Sequence, residues 1–177
     1  MNITALGAVI ISIFLFYLNA PGQKIENGWK RIAVFKSTRA DVEKALGKPL
    51  PDSISGDAVY QTSEGNVVVV YPRIPCSDPA SRRSEFALSE GTVIEYTVYP
   101  KEAIPLTALQ WNKDDYAPTK SSHYSNTYHY TNTSGNIWIS TRTKDDVELV
   151  QSIWFTNTVE QRKRFRCRKS DDDLDQQ

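Results

Sequence analysis

Two stretches of similar pattern, residues 60–69 and 130–139, lie 70 positions apart in the chain. Each begins with a tyrosine, passes through a Gly-Asn pair and continues into a second run rich in Val or Ile. Two β-prone runs that flank a short glycine-containing turn predict a β-hairpin. Each hairpin is followed by a third β-prone run, residues 91–100 and 147–156. We therefore predict two three-stranded meanders that share one mainly antiparallel sheet.

The spacing of apolar residues within these runs predicts which side chains enter the core. Residues 67–71 are apolar at every position, which is typical of a central strand covered on both faces. In residues 93–99 the alternation places Ile94, Tyr96 and Val98 on one face, because successive side chains of a strand point to opposite sides.

One short helix has both of its ends encoded in the sequence. Thr38 and Asp41 have the spacing of a capping box, and Gly47 supplies a residue that readily adopts the left-handed conformation found after a helix. Val42 and Leu46 lie one turn apart and form a narrow apolar face. So short a helix needs to dock on the sheet to persist. The fold class that we predict is therefore α+β.

The N-terminus resembles a membrane-targeting segment, since the first 23 residues carry no charged side chain. Its apolar run, residues 5–18, fits a signal-peptide core of about 7–15 residues better than a full span of about 20. We expect residues 1–22 to be a signal peptide or, with residues 3–22 as the span, an anchor in the inner membrane. The protein is then periplasmic, secreted or anchored outside the cytoplasm. The alternative is a cytoplasmic domain on an N-terminal anchor, because the nearest basic residues all lie downstream.

The remainder of the chain is predicted to form a single α+β domain, residues 23–169, with possible half repeats at residues 36–100 and 101–157. A basic run at residues 162–169 is followed at once by acidic residues, so we interpret it as a solvated chain end and residues 170–177 as a disordered acidic tail. The formal net charge is +0, which speaks against a nucleic-acid partner.

The chain has two cysteines, Cys76 and Cys167, and neither has a second cysteine or a histidine at metal-ligand spacing. In an exported protein we expect them to form a disulfide. It would close a loop of about 90 residues and stabilise the fold by about 4–5 kcal/mol in the chain-entropy model. Two buried free thiols are the alternative if the domain is cytoplasmic.

A search for reaction chemistry finds little. The only histidines, His123 and His129, lie within residues 122–130, and in one extended strand they would share an exposed face. There is no turn motif for a nucleophile, no phosphate-binding glycine loop and no metal-ligand cluster. We expect no enzymatic activity, no cofactor and no metal.

The aromatic residues of the second half are more suggestive. Trp138 and Trp154 each alternate with residues suited to the core, so both are predicted to lie on the other face of the sheet. Tyr128 and Tyr130 of the preceding strand are candidates to join them in a binding face. Alternatively, the connecting segment around Trp111 covers that face.

Residues 36–49 (KSTRADVEKALGKP), followed by a hairpin, resemble the opening of the small lipoproteins that assist outer-membrane β-barrel assembly. The wider order of this helix, the loop at Cys76, the strand at residues 92–101 and the closing Cys167 resembles a group of uncharacterised bacterial secreted proteins. The layout is also similar to that of β-lactamase-inhibitor-type repeats, in which the sheet surface grips another protein. These resemblances imply an envelope protein with a protein partner.

The function that we expect is that of a non-enzymatic envelope binding module, secreted or membrane-anchored, whose partner is another envelope protein or an unknown ligand. The alternatives are a hydrolase whose site follows no recognisable motif and a structural envelope component. A disulfide with an exposed pair of tryptophans favours binding, whereas a deep pocket that holds His129 beside a carboxylate favours the hydrolase.

Overall fold

The computed structural model describes residues 25, 28–51, 57–72, 74, 76–77 and 84–167 of the 177-residue chain. These residues form eight β-strands and two α-helices, which confirms an α+β fold with a mainly antiparallel sheet. The helices are α1 (Arg39–Leu46) and α2 (Val159–Phe165). The strands are β1 (Asp57–Gln61), β2 (Gly65–Val70), β3 (Glu95–Pro100), β4 (Ile104–Pro105), β5 (Tyr116–Lys120), β6 (Thr127–Asn132), β7 (Ile137–Lys144) and β8 (Val147–Phe155). The predicted targeting segment and acidic tail lie outside the described residues.

All strands belong to one sheet in the order β1-β2-β3-β8-β7-β6-β5, with β4 pairing to β8. The strand β8 therefore joins the early strands to the late ones: Val98 of β3 lies opposite Ile153, and Ile104 of β4 lies opposite Val150. Of the described strands, β1 to β3 lie within residues 57–100 and β4 to β8 within residues 104–155.

Helix α1 forms as its sequence predicts. The backbone N–H of Thr38 donates to Asp41 Oδ2 at 2.8 Å, and the backbone N–H of Asp41 donates to Thr38 Oγ1 at 3.3 Å. The first of these bonds, together with the Thr38 hydroxyl that donates to the same Oδ2 at 2.8 Å, holds the pKa of Asp41 below its usual value. Val42 is fully buried and Leu46 packs against the core. Among the described residues no helix combines the length and apolar character needed to cross a membrane.

The main hydrophobic core lies on one face of the sheet, here called the core face. Alternate residues of the strands supply it: Ala58, Tyr60, Val67, Val69, Tyr96, Val98, Ile137, Ile139, Ile153 and Phe155. Tyr96 and Val98 are buried in this core, as predicted. Ile94 is also buried, but in a second cluster around Phe86, because β3 begins only at Glu95 and the alternation does not extend back to residue 94. Segment 28–35, helix α1 and segment 104–111 pack over this face. Trp111 belongs to this cover and contacts the rings of Tyr116 and Tyr130, so it covers the core face and not the face of the tryptophan pair.

Strand β2 lies between β1 and β3, as expected for an interior strand. Val67 and Val69 are buried against the core, but Val68 and Val70 on the other face are only half-buried. The prediction that this strand is covered on both faces is therefore only partly met, because the main core covers one face and on the other face a smaller cluster around Phe86 packs against Val70.

The hydroxyl of a buried tyrosine bonds the segment that precedes α1 to the sheet. The hydroxyl of Tyr96 accepts the backbone N–H of Trp29 at 2.9 Å and donates to the carbonyl of Ile32 at 3.0 Å. Its ring stacks on Phe155 with centroids 4.5 Å apart. Burial raises the pKa of Tyr96 well above its ordinary value, so this hydroxyl stays neutral and able to donate.

The predicted disulfide is present between Cys76 and Cys167, which are 91 positions apart. It lies next to a second, smaller cluster formed by Phe35, Phe86, Leu88 and Ile94. Phe165 of α2 packs edge to face on Phe35, with ring centroids 5.4 Å apart. The disulfide and this aromatic contact together hold α2 against the end of the sheet.

Candidate binding site on the outer sheet face

The two tryptophans lie directly opposite each other on β7 and β8, on the face that points away from the main core, here called the outer face. The rings of Trp138 and Trp154 meet edge to face, with centroids 5.4 Å apart. Trp138 is 42% exposed, although its indole N–H donates to the carbonyl of Gly135 at 3.3 Å. An indole that is fixed by a hydrogen bond and still open to solvent presents a rigid aromatic surface.

Hydroxyl-bearing side chains flank the tryptophans across the sheet. Thr97 of β3 lies opposite Trp154, and Thr131 of β6 lies opposite Trp138. Two residues along each strand, Ser140 and Ser152 form the next pair on the same face. The centre of the outer face is thus an aromatic pair within a border of small hydroxyl groups.

Beside the pair lies a groove with a volume of about 410 Å³. Phe86 and Ile94 line it together with the two indoles. Five polar side chains from three parts of the chain complete the lining: Glu85, Glu95, Thr156, Asn157 and Arg162. A volume of this size falls within the range of about 300–1,000 Å³ that small-molecule sites occupy. An apolar wall with a few convergent polar groups is the usual composition of such sites.

We call this groove the Trp groove. Hydrogen bonds from α2 hold its polar wall in place. Arg162 donates from Nε to Oδ1 of Asn157 at 3.0 Å, and Asn157 is buried. Helix α2 begins with a capping box between Thr158 and Gln161, which fixes the turn that carries Arg162. At the other end of the wall Glu85 lies 3.9 Å from Arg166. The charges around the groove are therefore nearly balanced: two carboxylates with one guanidinium in the lining and a second guanidinium close by.

Tyr128 and Tyr130 do not join the tryptophans, and this part of the prediction is wrong. Tyr130 lies opposite Ile139 on the core face, and its hydroxyl donates to the carboxylate of Glu148 at 2.7 Å. Tyr128 lies opposite the buried Thr141 on the same face. The reason is the register of the β6–β7 hairpin, since a shift of one residue exchanges the two faces of a strand. Burial, reinforced by the Glu148 carboxylate, raises the pKa of Tyr130.

The histidines do not share one strand, because β6 begins at Thr127 and His123 lies in the turn before it. His129 lies on the outer face, where its neighbours across the sheet are Thr119 and Ser140. Neither histidine lines the Trp groove. Within the part of the chain that the structure describes, no group of three or more His, Cys, Asp or Glu side chains is arranged to hold a metal ion.

Sequence reasoning missed the five polar residues of the Trp groove. Arg162 falls in the basic run interpreted as a solvated chain end, but it belongs to helix α2. The available signal was the capping-box spacing of Thr158 and Gln161, the same signal that predicted α1. Glu85 and Glu95 lie far before Arg162 in the chain, and they meet it only through the fold.

Comparison of the chain with known protein families, characterised proteins and solved structures found no significant match. Function is therefore inferred from the chemistry of the site, because a fold by itself does not determine an activity.

Proposed function

We propose that this chain is a non-enzymatic binding module of the cell envelope, secreted or held at the membrane by its N-terminal segment, and that the Trp groove is its binding site. The observation that carries the proposal is the pair Trp138–Trp154, which forms a solvent-accessible aromatic wall beside a groove of ligand size. Aromatic side chains in the centre of a concave surface are the residues that contribute most to binding energy.

The disulfide supports the proposed location of the domain outside the cytoplasm. Cys76 and Cys167 are joined in the structure, and such bonds persist in oxidising compartments such as the periplasm or the extracellular space. The resemblance of the helix and hairpin to envelope lipoproteins points to the same compartment. The hydrolase alternative needs His129 beside a carboxylate, whereas its direct neighbours across the sheet are a threonine and a serine.

Oxidative footprinting of the full chain tests the proposal even while the ligand is unidentified. Hydroxyl radicals would be generated in intact cells that express the chain and, separately, on the purified full-length protein. We expect Trp138 to be oxidised several-fold more slowly in cells, because an occupant of the groove shields it.

Tyr124 is the matched control, since it is an exposed aromatic residue at 60% and does not line the groove. Its oxidation should be equal in both settings. Equal oxidation of Trp138 in cells and in the purified protein would show an unoccupied groove and contradict the proposal.

A further inference from the structure

We propose that the ligand of the Trp groove is a neutral saccharide chain. This inference rests on the proposed function and adds the chemical class of the occupant. Three properties of the groove carry it: the aromatic wall, the planar polar groups beside it and the balance of charge.

The aromatic wall suits the ring of a sugar. One face of a pyranose ring presents several C–H groups and no hydroxyl, and such a face packs flat on the π-surface of an indole. The edge-to-face arrangement of Trp138 and Trp154, with 62° between the rings, leaves them unstacked on each other. Trp138, at 42% exposure, is therefore open to a ring from solvent.

The polar wall suits the hydroxyl groups at the edge of the same ring. Carboxylate and guanidinium groups are planar forks, and each can bond two neighbouring hydroxyls at once. Asn157 carries both donors and acceptors, and it is buried and bonded to Arg162. A sugar hydroxyl both donates and accepts, so it can use the carboxylates and the guanidinium of this groove together.

The balance of charge distinguishes a neutral ligand from a charged one. Glu85 and Glu95 would repel a phosphate or sulfate group, and Arg162 would repel an ammonium group. Arg166, at 3.9 Å from Glu85, further offsets the negative charge. A neutral, hydroxyl-rich molecule meets no uncompensated charge here.

The surface beyond the groove continues the same chemistry. Thr97, Trp154, Trp138 and Thr131 form one row across four adjacent strands, and strands lie about 4.8 Å apart, so the row extends over roughly 15 Å. A row of this length accommodates a chain of linked sugars rather than a single ring.

Isothermal titration calorimetry of the purified, disulfide-intact full chain tests the inference. The probes are three neutral tetrasaccharides, chitotetraose, cellotetraose and maltotetraose, with a sulfated heparin tetrasaccharide as the charged comparison. We expect at least one neutral probe to bind with a dissociation constant below 1 mM, and the sulfated probe to bind at least tenfold more weakly.

The variants Trp138→Ala and Trp154→Ala should each weaken binding at least tenfold, Trp138→Tyr should retain part of it, and Tyr124→Ala should leave it unchanged. Circular dichroism of each variant distinguishes a lost ligand contact from a lost fold, and Trp138→Tyr keeps an aromatic ring if the alanine variant unfolds.

Failure of all three neutral probes to bind, tighter binding of the sulfated probe, or binding that is unchanged in both alanine variants would overturn the inference. If Trp138 is shielded in cells while no saccharide binds, the occupant belongs to another chemical class; the proposed function then stands and the saccharide inference does not. If Trp138 is not shielded and no saccharide binds, both the proposed function and the saccharide inference are wrong.

Discussion

Trp138 and Trp154 occupy directly opposed positions of β7 and β8, with their ring centroids 5.4 Å apart. Edge-to-face aromatic pairs contribute about 0.5–1.5 kcal/mol beyond their burial. We expect a double-mutant cycle between Trp138→Ala and Trp154→Ala to give a coupling near the lower end of that range, because Trp138 is partly solvated. Urea unfolding followed by circular dichroism measures it. Strictly additive effects would mean that the two rings stabilise the fold independently.

The Tyr96 hydroxyl is expected to be a major attachment point of segment 28–35. The change Tyr96→Phe leaves the N–H of Trp29 and the carbonyl of Ile32 without this partner, and burying such groups unpaired costs about 1–3 kcal/mol. The free energy of unfolding should fall by this amount. Tyr99→Phe is the matched control, since Tyr99 lies on the same strand and is exposed, and its change should be within about 0.5 kcal/mol of zero. Equal effects of the two changes would contradict this role.

Alkaline pH is expected to unfold the domain through three buried tyrosines and the half-buried Tyr130. The pKa values of Tyr60, Tyr71, Tyr96 and Tyr130 are raised above 10.0, chiefly because burial disfavours the charged phenolate. Their contribution to stability is fully present below pH 10.0 and is lost as the pH rises towards the folded pKa values, because the unfolded state loses its protons first.

Ultraviolet absorbance of phenolate, recorded together with circular dichroism, checks this expectation. Four of the nine tyrosines should ionise only as the β-sheet signal disappears. Ionisation of all nine before any loss of structure would contradict it.

Loss of the disulfide should destabilise the domain strongly. Replacing Cys76 and Cys167 by serine removes a link across 91 positions, and bonds of this loop length stabilise by about 3–5 kcal/mol. Urea unfolding of the double variant measures the loss, and reduction of the unmodified chain should give a loss of similar size. A difference below about 1 kcal/mol would show that the packing of Phe165 and the hydrogen bonds of this region hold α2 without the disulfide.

The turn between β7 and β8 offers a stabilising substitution. Asp145 and Asp146 connect the paired residues Lys144 and Val147, and both have positive φ, 51° and 61°. Two-residue hairpins of this kind favour glycine at the second position. Asp146→Gly should therefore raise the free energy of unfolding by about 0.5–1 kcal/mol, as urea unfolding would measure. Asp114→Gly is the control, because Asp114 lies in a turn and does not have a positive φ. This change should leave the free energy of unfolding unchanged or lower it.

The sequence predicted most reliably the features that depend on nearby residues. Helix α1 could be placed because Thr38, Asp41 and Gly47 define its ends within ten positions. The burial of Tyr96 and Val98 in one core followed from alternation alone, whereas Ile94 lies before the strand and is buried in the second cluster. Pairing of Cys76 with Cys167 followed from their number and from the expected export, without any geometry.

The features that the sequence did not predict depend on register and on long-range contact. In the first hairpin Tyr60 lies opposite Val67, but in the second Tyr130 lies opposite Ile139, so the two similar stretches have turns that differ by two residues. Turn length decides which residues face each other, and the similarity of the letters does not reveal it. The polar wall of the Trp groove needs three segments to meet, so no local pattern contains it. The half repeats stay a prediction.

The place of β8 between β3 and β7 sets the last step in assembly of the sheet. It is the last of the described strands in the chain, although two early strands, β3 and β4, and the later β7 all bond to it. Until β8 has paired, β3 and β7 each present an unpaired edge, and open edges are templates for pairing with other chains. We therefore expect a chain truncated before β8 to aggregate more readily than the full chain, and a chaperone that binds the incomplete chain to shield those two edges.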